Sequence, residues 1–275
     1  MNKDTTPKID VLLSPFDAEP SRLIDLAIKA EEFGFDGVWT YDHLTGAMFD
    51  RGHSSDVFTM LGAIAASTER VQLGPLVANV TNRHPVRLAV AANTMQRLSG
   101  GRFCIGLGGG ASPGSRFSAE QEAIGITLGD GKERRARTVE AIDLLRAMWN
   151  GAEDFQGEHY SVSGFDFHLA NDNPPPIIVG ASGPTTAKVA FEHADGLNVA
   201  SEKAFHALHD LIASERPPNF EVSVHMSIST NGSESLEAQL PDASAQVNRW
   251  VFAVSGDTDH TTLGNLFETA SSKLR

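Results

Sequence analysis

The sequence predicts an α/β protein: a parallel (β/α)8 TIM barrel with a small β-hairpin inserted before the fifth strand. Short runs rich in β-branched and apolar residues alternate with longer stretches of helical periodicity, the pattern of parallel strands joined by helical crossovers. Several of those short runs are almost continuously apolar, as strands covered on both faces must be. The 275 residues also suit this architecture, which uses about 250 residues as one unit, so 1–275 is read as a single domain.

Eight candidate strands follow in order, at 9–14, 37–41, 71–77, 103–107, 176–181, 196–200, 220–228 and 250–254. Between the first two, Ser21 after Pro20 is placed as the N-cap of a helix. Its stripe is Leu23, Leu26, Ala27, Ala30 and Phe33, and Gly34 closes it. The third crossover starts at Pro85, which suits a first helical turn, and stops at Ser99-Gly100-Gly101. Residues 132–150 form an amphipathic helix through Val139, Ile142, Leu145 and Trp149. Residues 154–165 read as the hairpin, and 231–246 as a polar helix with few apolar positions.

Composition narrows the function. Lys and Arg number 22 against 35 Asp and Glu, a formal charge of −13, which disfavours nucleic acid and anionic membrane as partners and favours small-molecule chemistry. Cys104 is the one cysteine, so no thiolate zinc cluster is expected. No His pair stands at i, i+4 spacing either, and no metal is assigned. The first eight residues lack the apolar core of a signal peptide, and a cytoplasmic protein is expected.

In a barrel of this kind, reactive groups come from the C-terminal strand ends and the loops after them. That rule selects Asp42-His43 after the second strand, where a carboxylate beside an imidazole can set its tautomer for proton transfer. The same dipeptide also serves as an ordinary helix cap. The glycines at 106–110 invite comparison with a dinucleotide fingerprint, but their spacing and the three strands before them reject it. They are read instead as backbone open to a flat ligand. The stretch 180–186 leaves a strand and opens a helix. Its N–H groups and the Ser182 hydroxyl suit a phosphate, and equally an ordinary Ser/Gly/Pro helix start. Arg83-His84-Pro85 is either a solvated helix entry or positive charge beside such a phosphate.

Taken together, the segments 33–43, 81–85, 98–110, 175–184 and 193–196 resemble the bacterial luciferase-like monooxygenase superfamily, and within it the deazaflavin (coenzyme F420)-dependent oxidoreductase branch. The resemblance covers roughly residues 9–200. It implies a barrel whose mouth holds coenzyme F420, or alternatively FMN, against a non-proline cis peptide in the third strand, here Leu76-Val77. It further implies that Asp42 and His43 lie beside the reactive edge, with Asp42 orienting His43. Leu76, Val77, Asn79 and Gly108 would meet the cofactor, and Gly180, Ala181, Ser182, Gly183 and Pro184 would hold its phosphate. Hydride transfer to or from a small organic substrate follows. Sugar-phosphate dehydrogenases of the branch carry a glutamate after the strand-four glycines, where this chain has Ala111-Ser112, so that substrate is discounted. A homodimer is expected. The alternatives are an FMN-dependent monooxygenase fed by a flavin reductase, and a non-catalytic cofactor-binding paralogue.

Overall fold

In the computed structural model, which describes residues 6–164, 166–230 and 234–275, the chain opens with β1 (Lys8–Leu13), α1 (Pro20–Phe33), β2 (Gly37–Thr40), α2 (Val57–Ser67) and β3 (Gln72–Pro75). Next come β4 (Ala78–Asn79), α3 (Pro85–Leu98), β5 (Ile105–Gly108), the short α4 (Ala119–Ala123) and α5 (Gly131–Trp149). β6 (Phe155–Gln156) and β7 (Ser161–Val162) make the hairpin, and β8 (Ile177–Ala181), α6 (Pro184–His193) and β9 (Gly196–Val199) follow. The chain ends with α7 (Glu202–Glu215), β10 (Glu221–Ser227), α8 (Leu236–Gln239), β11 (Arg249–Val254) and α9 (His260–Leu274).

The parallel sheet runs β3-β2-β1-β11-β10-β9-β8-β5-β4. Its two end strands are consecutive pieces of one run, so the sheet is a closed ring of eight staves with β3 and β4 as halves of the third. Leu73 N–H donates to Arg102 O at 3.1 Å and Cys104 N–H to Leu73 O at 2.9 Å, which seals the seam. The break in the third stave is the Leu76–Val77 peptide, which is cis. The expected strand 71–77 is therefore split, and the expected start of the fourth strand at Phe103 is an isolated bridge to Leu73 before β5.

Period-two alternation explains two layers of core. Leu12, Trp39, Leu76, Cys104, Ile178, Val251 and Ala253 fill the barrel interior, with Tyr41 and Val77 packed against them. Ile9, Val11, Leu13 and Val38 point the other way, into the larger layer shared with the helices. The N-terminal end of the barrel is plugged by charge: Arg249, fully buried, donates to Asp10 and Gln72 and, at 3.0 Å, to Glu221. Trp39 Nε1 donates to Asp10 at 2.6 Å. Burial raises the Asp10 carboxyl above its ordinary range although Arg249 opposes that shift.

Two local expectations change. Pro20, not Ser21, begins α1, because a residue without an N–H and with φ already helical suits the first turn, and Glu19 becomes the N-cap. The described part of the polar stretch 231–246 yields only α8, since too few of its residues have an apolar stripe to bury. Residues 231–233 and the hairpin's Phe165 lie outside the described residues. No helix among the described residues is long and apolar enough to cross a membrane.

Candidate active site

The C-terminal strand ends converge on a cleft of about 470 Å³. Its lining includes His43 and Asp42 from the end of β2, Leu76, Val77 and Asn79 from the split third stave, and Gly108 from β5. Gly180, Ala181 and Ser182 at the end of β8 close another side. Gly183 and Pro184 are not in the lining. They form the N-cap and first residue of α6, where Pro184 has no N–H to offer a ligand.

The cis peptide turns Val77 toward a niche made of glycines. A Cβ on Gly108 would lie 2.7 Å from Val77 Cγ2, one on Gly180 3.2 Å from the same side chain, and one on Gly106 3.0 Å from Val77 Cγ1. Gly108 is required by the valine, whereas at Gly106 the Pro75 carbonyl oxygen, 2.4 Å from the same added Cβ, excludes a side chain first. Asn79 is fixed by its own turn: its Oδ1 accepts from Thr81 N–H at 2.9 Å and from the Thr81 hydroxyl at 2.6 Å. That leaves its amide N–H groups as the donors available to the cleft.

The Asp42-His43 pair is not a dyad. Successive residues leaving a strand diverge, and Asp42 turns to Arg83, which meets it through Nε at 3.0 Å and Nη2 at 2.9 Å, while Asn79 N–H donates to it at 3.2 Å. The same guanidinium reaches Asp56 at 2.6 Å and stacks over Phe58. Arg83 is thereby committed to two carboxylates rather than to a phosphate, and its own acidity falls further, its pKa rising under both partners despite burial. The expectation that Asp42 orients His43 is corrected accordingly.

His43 takes its carboxylate from elsewhere. Its Nδ1 lies 2.8 Å from Glu120 Oε1, and the other oxygen of Glu120 accepts Leu44 N–H at 2.8 Å. An ionised carboxylate only accepts, so Nδ1 carries the hydrogen and Nε2 is left for chemistry in the cleft. The Glu120 side chain is 3% exposed, and both its oxygens are satisfied, as a buried carboxylate requires. The rings of Phe16, Tyr41 and Phe49 surround the imidazole at centroid distances of 5.8, 6.2 and 6.1 Å.

Sequence reasoning missed Glu120, His225 and Asn198, all of which line the cleft. Glu120 sits on a helix of five residues with no motif to mark it. His225 and Asn198 were legible in principle: each alternates with apolar neighbours, Val224 and Val199 among them, that face the outer core. Burial pushes His225 down to about 4 and the Tyr41 phenol up to about 12, so both are neutral near pH 7.

The chain is 38% identical over 187 residues to an F420-dependent glucose-6-phosphate dehydrogenase of Nakamurella multipartita, covering 67% of this chain and 53% of that protein. It is 33% identical over 190 residues to an F420-dependent hydroxymycolic acid dehydrogenase of Mycobacterium tuberculosis, covering 68% and 51%. The chain thus spans about half the length of the curated relatives it matches. In fold it superposes with a TM-score of 0.79 on an F420-dependent secondary alcohol dehydrogenase in complex with an F420-acetone adduct, at 17% identity and over 98% of this chain and 99% of that one. The family described as luciferase-like monooxygenase matches residues 5–262, and the chain belongs to that family.

Proposed function

We propose that this chain is an oxidoreductase that binds coenzyme F420 in the cleft and moves a hydride between it and a small, uncharged organic substrate, with His43 giving or taking the accompanying proton. The observation that carries the reading is the His43–Glu120 contact at the cleft, 2.8 Å long, in a chain whose relatives quoted above are named as F420-dependent. The cleft fits the cofactor: Val77, seated among the glycines, and Leu76 give its lining an apolar wall for a planar ring. The first-turn N–H groups of α6, with the Ser182 hydroxyl, suit a phosphate. Bound there, the deazaflavin would supply a carbon that exchanges a hydride and reacts poorly with oxygen.

The remaining work falls to the chain's own groups. Glu120 holds the His43 ring through Nδ1, which leaves Nε2 to take a proton from a substrate hydroxyl or return one to a carbonyl oxygen. Asn79 presents N–H donors, and the packed interior of Leu12, Trp39 and Cys104 excludes water from below. No lysine or arginine is among the described residues lining the cleft, which favours an uncharged substrate over a sugar phosphate. The missing glutamate at Ala111-Ser112 points the same way, even though Glu120 brings a carboxylate to the cleft from α4.

Titrating the cofactor-free protein with F420 and with FMN, followed by ring fluorescence, tests the reading. Tighter binding of F420 is expected, with F420 reduction by secondary alcohols at multiple turnover. Preferential FMN binding would replace the proposal by the flavin monooxygenase reading, with a reductase as partner. Binding without turnover across alcohols, ketones and imines would leave a cofactor-binding paralogue. The homodimer belongs to the same proposal, and sedimentation of the purified protein checks it.

A further inference from the structure

We infer that His225 is a substrate-binding residue, a neutral imidazole whose Nε2 accepts a hydrogen bond from an O–H or N–H group of the substrate, with Asn198 and Ser223 as the positioning residues that fix its tautomer. The inference rests on the reading above, in which the cofactor ring lies against Val77. In the ring of staves, β10 stands directly across from the split third stave, with three staves between them on either side. A ring backed by Val77 leaves the space between itself and His225 to the substrate.

The tautomer follows from a chain of contacts. A backbone carbonyl only accepts, so the Ser223 hydroxyl donates to Leu197 O, 3.2 Å away. Its oxygen then accepts from the Asn198 amide nitrogen at 2.9 Å, which orients the amide. The Asn198 carbonyl oxygen is therefore the atom 2.7 Å from His225 Nδ1, and it accepts the hydrogen there. Nε2 keeps its lone pair in a ring that lines the cleft. Desolvation holds the imidazole at about 4, so it does not become a donor near neutral pH.

The two histidines of the cleft are thus built for different tasks. His43 Nδ1 meets a carboxylate oxygen, whereas His225 Nδ1 meets an amide oxygen. The Tyr41 ring stands between them, 6.2 Å from one and 6.3 Å from the other. A substrate with a hydroxyl or amine next to its reacting carbon satisfies both. A carbonyl, carboxylate or ether turned to this wall sets lone pair against lone pair.

The test uses the full chain with 15N-labelled histidine and two small probes, propane-1,2-diol and 1,2-dimethoxyethane, which have similar skeletons but differ in O–H groups. The His225 resonances, assigned by their loss in His225→Leu, are expected to show hydrogen on Nδ1 and none on Nε2. The diol should move the Nε2 signal, and the ether should bind at least about fivefold more weakly and leave it in place. Asn198→Leu should mix the tautomers and remove the diol response. A hydrogen on Nε2 in the wild-type protein, or equal shifts from both probes, overturns the inference. If His225→Leu does not fold, the wild-type tautomer and Asn198→Leu still decide it. F420 titration of the same sample separates the two ideas: no F420 binding removes the parent reading, whereas F420 binding without a diol response removes this one alone.

Discussion

His43 and Glu120 stand 77 positions apart in the chain, and their side chains meet at 2.8 Å over the cleft. The contact joins the end of the second stave to a short helix beyond the fourth, so the proposed proton-transfer group is assembled across two loops. Its separation into parts gives the first experiment. His43→Ala is expected to leave F420 affinity within a few fold while lowering turnover by roughly two orders of magnitude. Glu120→Gln, which keeps an oxygen for Leu44 N–H, should lower turnover by about tenfold to hundredfold with KM little changed. Steady-state kinetics on both variants decide this, and unchanged turnover in His43→Ala would remove the residue from its role.

Arg83 makes the opposite prediction, one of stability. Arg83→Leu leaves the Asp42 carboxylate, whose side chain is 3% exposed, without its cation, and breaking such a pair costs about 3–5 kcal/mol. Replacing Asp42 and Arg83 together by Asn and Leu should recover part of that loss. Urea unfolding of the three proteins measures it, and a difference below about 1 kcal/mol in Arg83→Leu, the scale of an exposed pair, would mean that the bidentate contact contributes little.

Gly108→Ala probes the wall behind the proposed ring. The added methyl would sit 2.7 Å from Val77 Cγ2, so the valine must move into the cleft or the strands must part. A cost of about 1–3 kcal/mol is expected, divided between stability and F420 affinity. Calorimetric titration with F420, alongside a melting curve, reports both parts. A variant as stable as wild type with the same affinity would show that the niche is looser than its distances indicate.

The pH dependence of stability carries the signature of His225. Its folded pKa of about 4 lies below the ordinary 6.5, so between these values the unfolded chain binds a proton that the native ring refuses. Stability is therefore full above pH 6.5 and falls as pH drops toward 4, by about 3 kcal/mol from this group. His225→Gln should flatten that part of the profile. Denaturant titrations from pH 7 to pH 4 compare the slopes, and parallel slopes would show that the native imidazole is reached by protons or water.

Much of this molecule follows from local pattern. Alternating apolar runs and helical stripes determined the eight staves, their parallel order and the hairpin, because strand and helix periods are properties of neighbouring residues. Strand ends in a barrel point to one mouth, so His43, Asn79, Gly108 and Ser182 could be placed together before any coordinates. The resemblance carried the reading to Leu76-Val77, whose peptide is cis.

Partnership was a different matter. The dipeptide Asp42-His43 suggested a pair, but adjacent side chains leaving a strand diverge, and only the packed loops decided that Asp42 belongs to Arg83 and His43 to Glu120. The same holds for His225, whose neutrality depends on burial and on an amide set by a serine one stave away. Sequence alone determined which faces are apolar and where the chain turns, since those depend on short-range geometry. Tertiary structure decided which charges meet and which nitrogen of each histidine is left for a ligand, since hydrogen bonds act over about 3 Å and join residues that the chain holds far apart.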